Sequence, residues 1–261
     1  MERTVVLITG ASSGIGAELA KLSAADGYDL VLVARSGPEL QALADSLTQR
    51  HGIAARVLPR DLAEARAPQA IFDELQRAGV AIEILINNAG FGLYGPLWSN
   101  DGERLHGLLQ VNIVALTQLC RLFLPQMVER GHGKVLNIAS TAAFQPGPLM
   151  AAYYASKAYV LSLSEAVANE LRGTGVTMTA LCPGLTRTRF GERAGLDLSR
   201  LFKLVPVADP RSVACAGYRG MMQGKTIVIP GLLNRLVALS PRLIPRPAVT
   251  AIARALQERV A

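Results

Sequence analysis

Aromatic residues are scarce in this 261-residue chain, at 5%, and its hydrophobic half consists largely of leucine, alanine and valine. That balance suits helices packed on a parallel sheet. Cysteine is scarcer still. Cys120, Cys182 and Cys215 are odd in number, far apart and without metal-ligand spacing. They read as reduced thiols of a cytoplasmic protein, and no metal site is expected. Low-complexity segments and strong charge runs are missing, and only 18% of residues are charged, so the chain is not of the disordered class. Acids are outnumbered by bases, 20 to 27, for a net charge of +7. The excess is mostly scattered arginine with no aromatic-rich basic patch, which argues against a nucleic-acid partner. No signal-peptide pattern precedes the first apolar run, and no apolar run has the length of a membrane span. The expected location is cytoplasmic, with peripheral membrane contact open only to the last thirty or so residues.

The chain alternates short apolar runs with segments of helical period. Strands are predicted at 4–9, 29–34, 53–58, 82–86, 134–139, 176–181 and 225–229. Helices are predicted at about 15–26, 38–50, 64–78, 100–130, 152–172 and 210–223. In the fourth of these Pro125 should kink the helix or start a new turn. Asp209-Pro210 reads as a cap with proline in the first turn. The alternation indicates α/β architecture: a Rossmann-like, doubly wound parallel sheet of about seven strands with helices on both faces. The length suits one domain over 1–261, with neither a linker nor an internal repeat to divide it.

Every candidate chemical residue falls at or just beyond the C-terminal end of a predicted strand, the edge where open α/β sheets bind ligands. Gly10-Ala11-Ser12-Ser13-Gly14-Ile15-Gly16 follows the first strand and opens the first helix. Glycines there admit a tight turn and close backbone approach. The new helix aims free N–H groups at an anion. A pyrophosphate site is the functional reading, against a plain glycine-rich turn. The second strand ends in Arg35, where an acid would select a ribose 2′-hydroxyl. A guanidinium suits a 2′-phosphate instead, so NADP(H) is expected over NAD(H). Farther on, Tyr153 and Lys157 stand four residues apart, one helical turn, with Ser140 thirteen residues upstream. A nearby cation lowers a phenol's pKa and readies it for proton transfer. On this helix Tyr153 and Lys157 should share one site, while Tyr154 and Ser156 point elsewhere.

Thr9-Gly-x3-Gly-x-Gly16, Asn87-Asn88-Ala89-Gly90, Asn112, Ser140, Tyr153-x3-Lys157 and Pro183-Gly184 stand in the order and approximate spacing of the short-chain dehydrogenases/reductases. The chain resembles that family from residue 4 to about 229. The resemblance implies a catalytic tetrad of Asn112, Ser140, Tyr153 and Lys157. Tyr153 would exchange a proton with the substrate oxygen and Ser140 would hydrogen-bond that oxygen. Lys157 would lower the phenol pKa and hold the nicotinamide ribose, and Asn112 would anchor a water leading to solvent. Cofactor contacts are implied at Gly10, Ser12, Ser13, Gly14, Ile15, Gly16, Arg35, Asp61, Leu62, Asn88, Ala89, Gly90, Tyr153, Lys157, Pro183 and Gly184. Thr186, where the family usually has Val or Ile, and Thr188 complete the set. Asp61 has a second reading as a helix cap, and Asn87 as a turn residue.

Residues 187–206 occupy the family's substrate-lid position. Phe190, Leu196, Leu198, Leu201, Phe202, Leu204 and Val205 would cover an apolar or lipid-like carbonyl compound, or simply pack on the domain. Leu93, Tyr94, Leu97 and Trp98 would extend that pocket. The extension 230–261 carries Arg235, Arg242, Arg246, Arg254 and Arg259 among apolar residues. It would lie on a neighbouring subunit, on the lid or on an anionic membrane. The expected function is NADP(H)-dependent interconversion of a carbonyl and a secondary alcohol, by a homodimer or homotetramer. The alternatives are a non-catalytic NADP(H)-binding redox sensor and a membrane-associated binding protein.

Overall fold

The computed structural model describes residues 4–194 and 205–258. Short β-branched runs become β1 (Val5–Thr9), β2 (Asp29–Ala34), β3 (Ala55–Pro59), β4 (Ile82–Asn87), β5 (Gly133–Ile138), β6 (Val176–Leu181) and β7 (Ile227–Val228). All pair in parallel, in the order β3-β2-β1-β4-β5-β6-β7. The helices between them are α1 (Gly14–Ala25), α2 (Gly37–His51), α3 (Ala67–Arg77), α4 (Gly102–Leu109), α5 (Leu116–Arg130), α6 (Ala151–Glu170), α7 (Phe190–Ala194) and α8 (Pro210–Met222). Beyond β7 follow α9 (Leu232–Leu239) and α10 (Arg246–Gln257).

Strand side chains alternate between faces, and both faces are apolar. Leu7, Val31 and Val33 join α3, α5 and α6 in one core, through Ile71, Phe123 and Val160. Val6, Ile8, Leu30 and Leu32 join α1, α2 and α8 in the other, through Leu19, Leu40 and Val213. A sheet buried on both sides leaves only its strand ends open to ligands.

Three boundaries differ from expectation. β3 begins at Ala55 because Ile53, 2% exposed, is used as a core plug ahead of the strand. α3 begins at Ala67, since residues 61–64 form a separate turn closed by Glu64 N–H to the Asp61 carbonyl at 3.1 Å. β7 has only two residues, paired on one side with Ala180 and Leu181. Asp209 does cap α8, its carboxylate accepting from the Ser212 N–H at 3.0 Å.

The predicted 100–130 helix is one unbroken 29-residue helix, Gly102–Arg130. Pro125 lies inside α5 and starts no new turn; it is exposed, so the carbonyl deprived of its helical donor is on the solvent side. By length and composition this helix could cross a membrane, contrary to the sequence expectation. However, 56% of its most apolar window is buried within the fold. Between α4 and α5 the backbone widens into a π turn, Gln110–Ala115, which carries Asn112.

Candidate active site

The strand order reverses between β1 and β4, and the loops leaving these two strands are bound to each other. The Thr9 hydroxyl accepts from the N–H groups of Asn88 and Ala89, each at 3.0 Å. The Asn88 side-chain amide donates to the carbonyls of Thr9 at 2.9 Å and Gly10 at 3.0 Å. A Cβ on Gly10 would lie 2.8 Å from Asn88 Nδ2, so the loops close only over a glycine. The Asn88 side chain therefore fastens the glycine loop, a positioning task the resemblance did not indicate.

Gly14 takes φ +57°, a conformation that strains other residues. Ser13 stands at the N-cap of α1 without a side-chain bond to the helix, and the first turn holds no acid. The first N–H groups of α1, from Gly14, Ile15 and Gly16, thus have no side-chain acceptor. Such donors fit a pyrophosphate. Thr188 crosses over this loop, its Cγ2 2.9 Å from where a Gly14 Cβ would stand. Thr186 bonds the Gly184 carbonyl at 3.0 Å and bridges to Ala208. The segment after β6 is thereby folded back over the cofactor edge.

At the far end of that edge Arg35 is exposed. Its guanidinium makes no hydrogen bond or ion pair among the described residues, whereas Arg60 is bound to Glu74 at 2.7 Å and Arg189 to Glu39 at 3.0 Å. The Asp61 carboxylate accepts from the Ala63 N–H at 2.9 Å, capping its own turn rather than α3. Leu62 points into the core, 6% exposed, leaving its backbone for any cofactor contact.

Ser140 leaves β5 in extended conformation, and α6 carries Tyr153 and Lys157 to the same edge. The Ser140 hydroxyl donates to the Pro183 carbonyl at 3.4 Å. It also accepts from the Ala142 N–H at 3.1 Å. Lys157, 5% exposed, donates to the Ile138 carbonyl at 2.7 Å, with Nζ 5.8 Å from the Tyr153 ring centre. Burial pushes the Tyr153 phenol well above its ordinary value, and Ser140 offsets part of that rise. Burial also pushes the Lys157 ammonium down, to about 8. The expected lowering of the phenol by Lys157 is not found: desolvation dominates, and the Lys157 ammonium is turned towards the Ile138 carbonyl instead.

Asn112 donates both amide hydrogens, to the Phe91 carbonyl and the Ser156 hydroxyl, each at 3.0 Å, and accepts from the Phe91 N–H at 3.1 Å. One lone pair on Oδ1 remains for the water that the resemblance implies. Ser156 was expected to point away and does not. It lies three residues after Tyr153, on the same helical face, fully buried and bonded to the Tyr153 carbonyl at 2.7 Å. Tyr154 was also expected to point away, but its ring packs edge-on against that of Tyr153, centroids 6.1 Å apart, and only its hydroxyl is turned from the site. Its hydroxyl accepts from Gln257 Nε2 at 2.6 Å, while the Gln257 carbonyl accepts from Tyr94 at 2.7 Å. Neither Ser156 nor Gln257 was singled out from sequence; the i+3 spacing could have flagged the first.

Asn87 is a core residue rather than a turn residue. It donates to Asn137 at 2.9 Å, which in turn donates to Ser164 of α6 at 3.0 Å. The mouth beside Tyr153 is apolar: Ala142, Met150, Tyr154 and Ala194 cluster there with Tyr94 and Phe190. The Phe190 ring lies 5.1 Å from that of Tyr153. Leu93 is buried at 6%, but Leu97 and Trp98 are exposed at 50% and 88% and do not line an enclosed pocket. Of the lid, Leu196, Leu198, Leu201, Phe202 and Leu204 lie outside the described residues.

A doubly wound sheet with an anion loop at its switch point, and a Ser–Tyr–Lys set beside it, defines a nicotinamide-dinucleotide oxidoreductase of C–OH and C=O groups. A family model described as short chain dehydrogenase matches residues 4–198. The chain belongs to the short-chain dehydrogenase/reductase family. It is 36% identical over 201 residues to sulfoacetaldehyde reductase 2 of Chromohalobacter salexigens, covering 74% of this chain and 79% of that protein. A short-chain dehydrogenase from Sphingobium yanoikuyae in complex with NADPH matches with TM-score 0.83 and 37% identity, over 92% of this chain and 93% of that one. The bulky-bulky ketone specific alcohol dehydrogenase of Comamonas testosteroni matches with TM-score 0.78 and 30% identity, over 93% and 94% of the two chains.

Proposed function

We propose that this chain reduces apolar ketones or aldehydes to alcohols, with NADPH preferred over NADH and Tyr153 as the proton donor. The observation that carries the reading is a buried phenol, held protonated by desolvation, at the apolar mouth formed by Met150, Tyr94 and Phe190. Bound NADPH supplies the hydride. Tyr153 gives its proton to the carbonyl oxygen, and the Ser140 hydroxyl stabilises the charge growing on that oxygen. Lys157, with a pKa of about 8, is poised to return a proton to the phenol near neutral pH. Asn112 and Ser156 hold the start of α6 against the Phe91 loop. The α1 N-terminus, Asn88-fastened loop, Pro183, Gly184, Thr186 and Thr188 hold the cofactor.

Arg35 supports the NADPH preference, and the NADPH-bound relative from Sphingobium yanoikuyae agrees with it. The relative from Comamonas testosteroni, specific for bulky ketones, agrees with the apolar mouth. Cytoplasmic location and assembly as a homodimer or homotetramer belong to the same reading, the latter a common habit of the family. The intact Ser–Tyr–Lys set speaks against a non-catalytic sensor. NADPH oxidation measured across apolar and hydroxylated ketones tests the reading: kcat/KM should favour apolar ones by roughly tenfold or more. Tyr153→Phe should lower kcat by about 10²-fold or more with NADPH binding retained. Turnover above a tenth of wild type would remove Tyr153 from its role.

A further inference from the structure

α9 turns its apolar face outward. Asn234 and Ala238 face the protein: Asn234 donates to the Pro230 carbonyl at 2.7 Å, and Ala238 is 2% exposed. The opposite side presents Leu232, Leu233, Leu236, Val237 and Leu239, of which Leu232 is 72% and Leu236 57% exposed. At 3.6 residues per turn these five share an arc of about 160°. Leu243, just beyond, is 88% exposed. A contiguous apolar face of this kind marks an interaction surface.

The charge around it says what it meets. Arg235, Arg242, Arg246 and Arg254 are all exposed. The only described carboxylate from 230 onward is that of Glu258, which pairs with Arg254 at 3.3 Å. Arg235, Arg242 and Arg246 form no ion pair among the described residues; Arg235 lies within α9, its Nε donating to the Ile229 carbonyl at 3.1 Å, and Arg242 and Arg246 stand in sequence on either side of the exposed Leu243. A second copy meeting this patch about a twofold axis would set these cations against themselves. An anionic lipid surface accepts both parts, leucines at the acyl boundary and guanidinium groups at the phosphates.

We propose that α9 and the turn through Arg246 dock the protein peripherally on an anionic bilayer. The docking would bring the reaction site to the lipid surface, because the Asn234 side chain packs against Gly184, in the loop after β6. The proposal stands on this surface alone and does not depend on the reaction.

Co-flotation of the full chain with vesicles of phosphatidylcholine, alone or mixed with phosphatidylglycerol, tests it. Binding is expected to the mixed vesicles at low salt, and roughly a hundredfold weaker to phosphatidylcholine alone, the contribution of three arginines that carry no ion pair among the described residues. Leu232→Glu with Leu236→Glu should abolish flotation, while NADPH still raises the melting temperature. Arg242→Gln with Arg246→Gln, both at exposed positions, should bring mixed vesicles close to the phosphatidylcholine level. The second pair decides alone if the first does not fold. Absence of flotation, or flotation indifferent to lipid charge, overturns the proposal. So does a concentration-dependent dimer, seen by sedimentation, that the arginine or leucine substitutions abolish, since it would assign the face to a second copy.

Discussion

A carboxylate and a guanidinium at the end of β2 would select opposite cofactors. Arg35 stands there exposed, while its basic neighbours Arg60 and Arg189 are committed to Glu74 and Glu39. A charge-assisted bond to a 2′-phosphate contributes about 1.5–3 kcal/mol, or roughly ten- to a hundredfold in binding. Arg35→Asp should lose that, repel the phosphate and offer an acceptor to the 2′-hydroxyl of NADH. The preference should move from NADPH towards NADH, mostly through KM, in kinetics with both cofactors at one ionic strength. A variant that keeps its NADPH preference would exclude Arg35. Residues such as this were legible in the sequence because motif spacing and strand ends place them. Ser156 was not, because its role comes from the bond donated by Asn112, 44 residues away in sequence, which only packing of the π turn on α6 brings to it. Nor was the bonded chain Asn87–Asn137–Ser164, whose members are 50 and 27 residues apart and meet only when β4, β5 and α6 pack.

Helix α6 is fastened along its length. Ser164 ties it to β5 through Asn137, Lys157 to the end of β5, Ser156 to the π turn, and Tyr154 to the last residue of α10. A helix carrying Tyr153 and Lys157 on one face was legible from their i+4 spacing, but these ties were not. A six-residue π turn is too short to change the period visibly, and the Tyr154–Gln257 bond spans 103 positions. Likewise the extension after β7 reads from sequence only as an apolar stretch bearing arginines, and the fold shows both that α9 is a helix and which of its faces is outward. Gln257 is 1% exposed and holds both Tyr154 and Tyr94. Gln257→Ala should leave the buried Tyr154 hydroxyl without its donor, at a cost of about 1–3 kcal/mol. For a chain of this size that lowers the melting temperature by about 2–10 °C. NADPH binding, on the other side of the site, should stay within about twofold of wild type by titration. An unchanged melting temperature would mean that α10 is not clamped through this residue.

For the molecule as a whole, strand–helix alternation made a parallel sheet legible, but not the strand order, which long-range pairing sets. Burial, which decides the charge state of the site, was not legible either. The Lys157 ammonium lies 5% exposed between sheet and helix, and its pKa falls from 10.5 to about 8. In the unfolded chain it returns to its ordinary value. Between about pH 8 and about pH 10.5 the unfolded chain therefore holds a proton that the folded chain has released. Stability contributed by this group rises with pH across that window, because the unfolded state binds more protons. Below about pH 8 the folded protein bears the full cost of a buried cation, on the order of 3 kcal/mol. Lys157→Met removes the ammonium and keeps most of the side-chain volume, so the variant should lack this dependence. Urea unfolding of both proteins without cofactor, at about pH 7.5 and about pH 10, should show wild type gaining on the variant by up to that amount. The other titrating groups are common to both and cancel in the difference. Parallel pH responses would show that Lys157 is solvated in the folded protein, and that its ammonium is not held in the desolvated position from which it would return a proton to Tyr153.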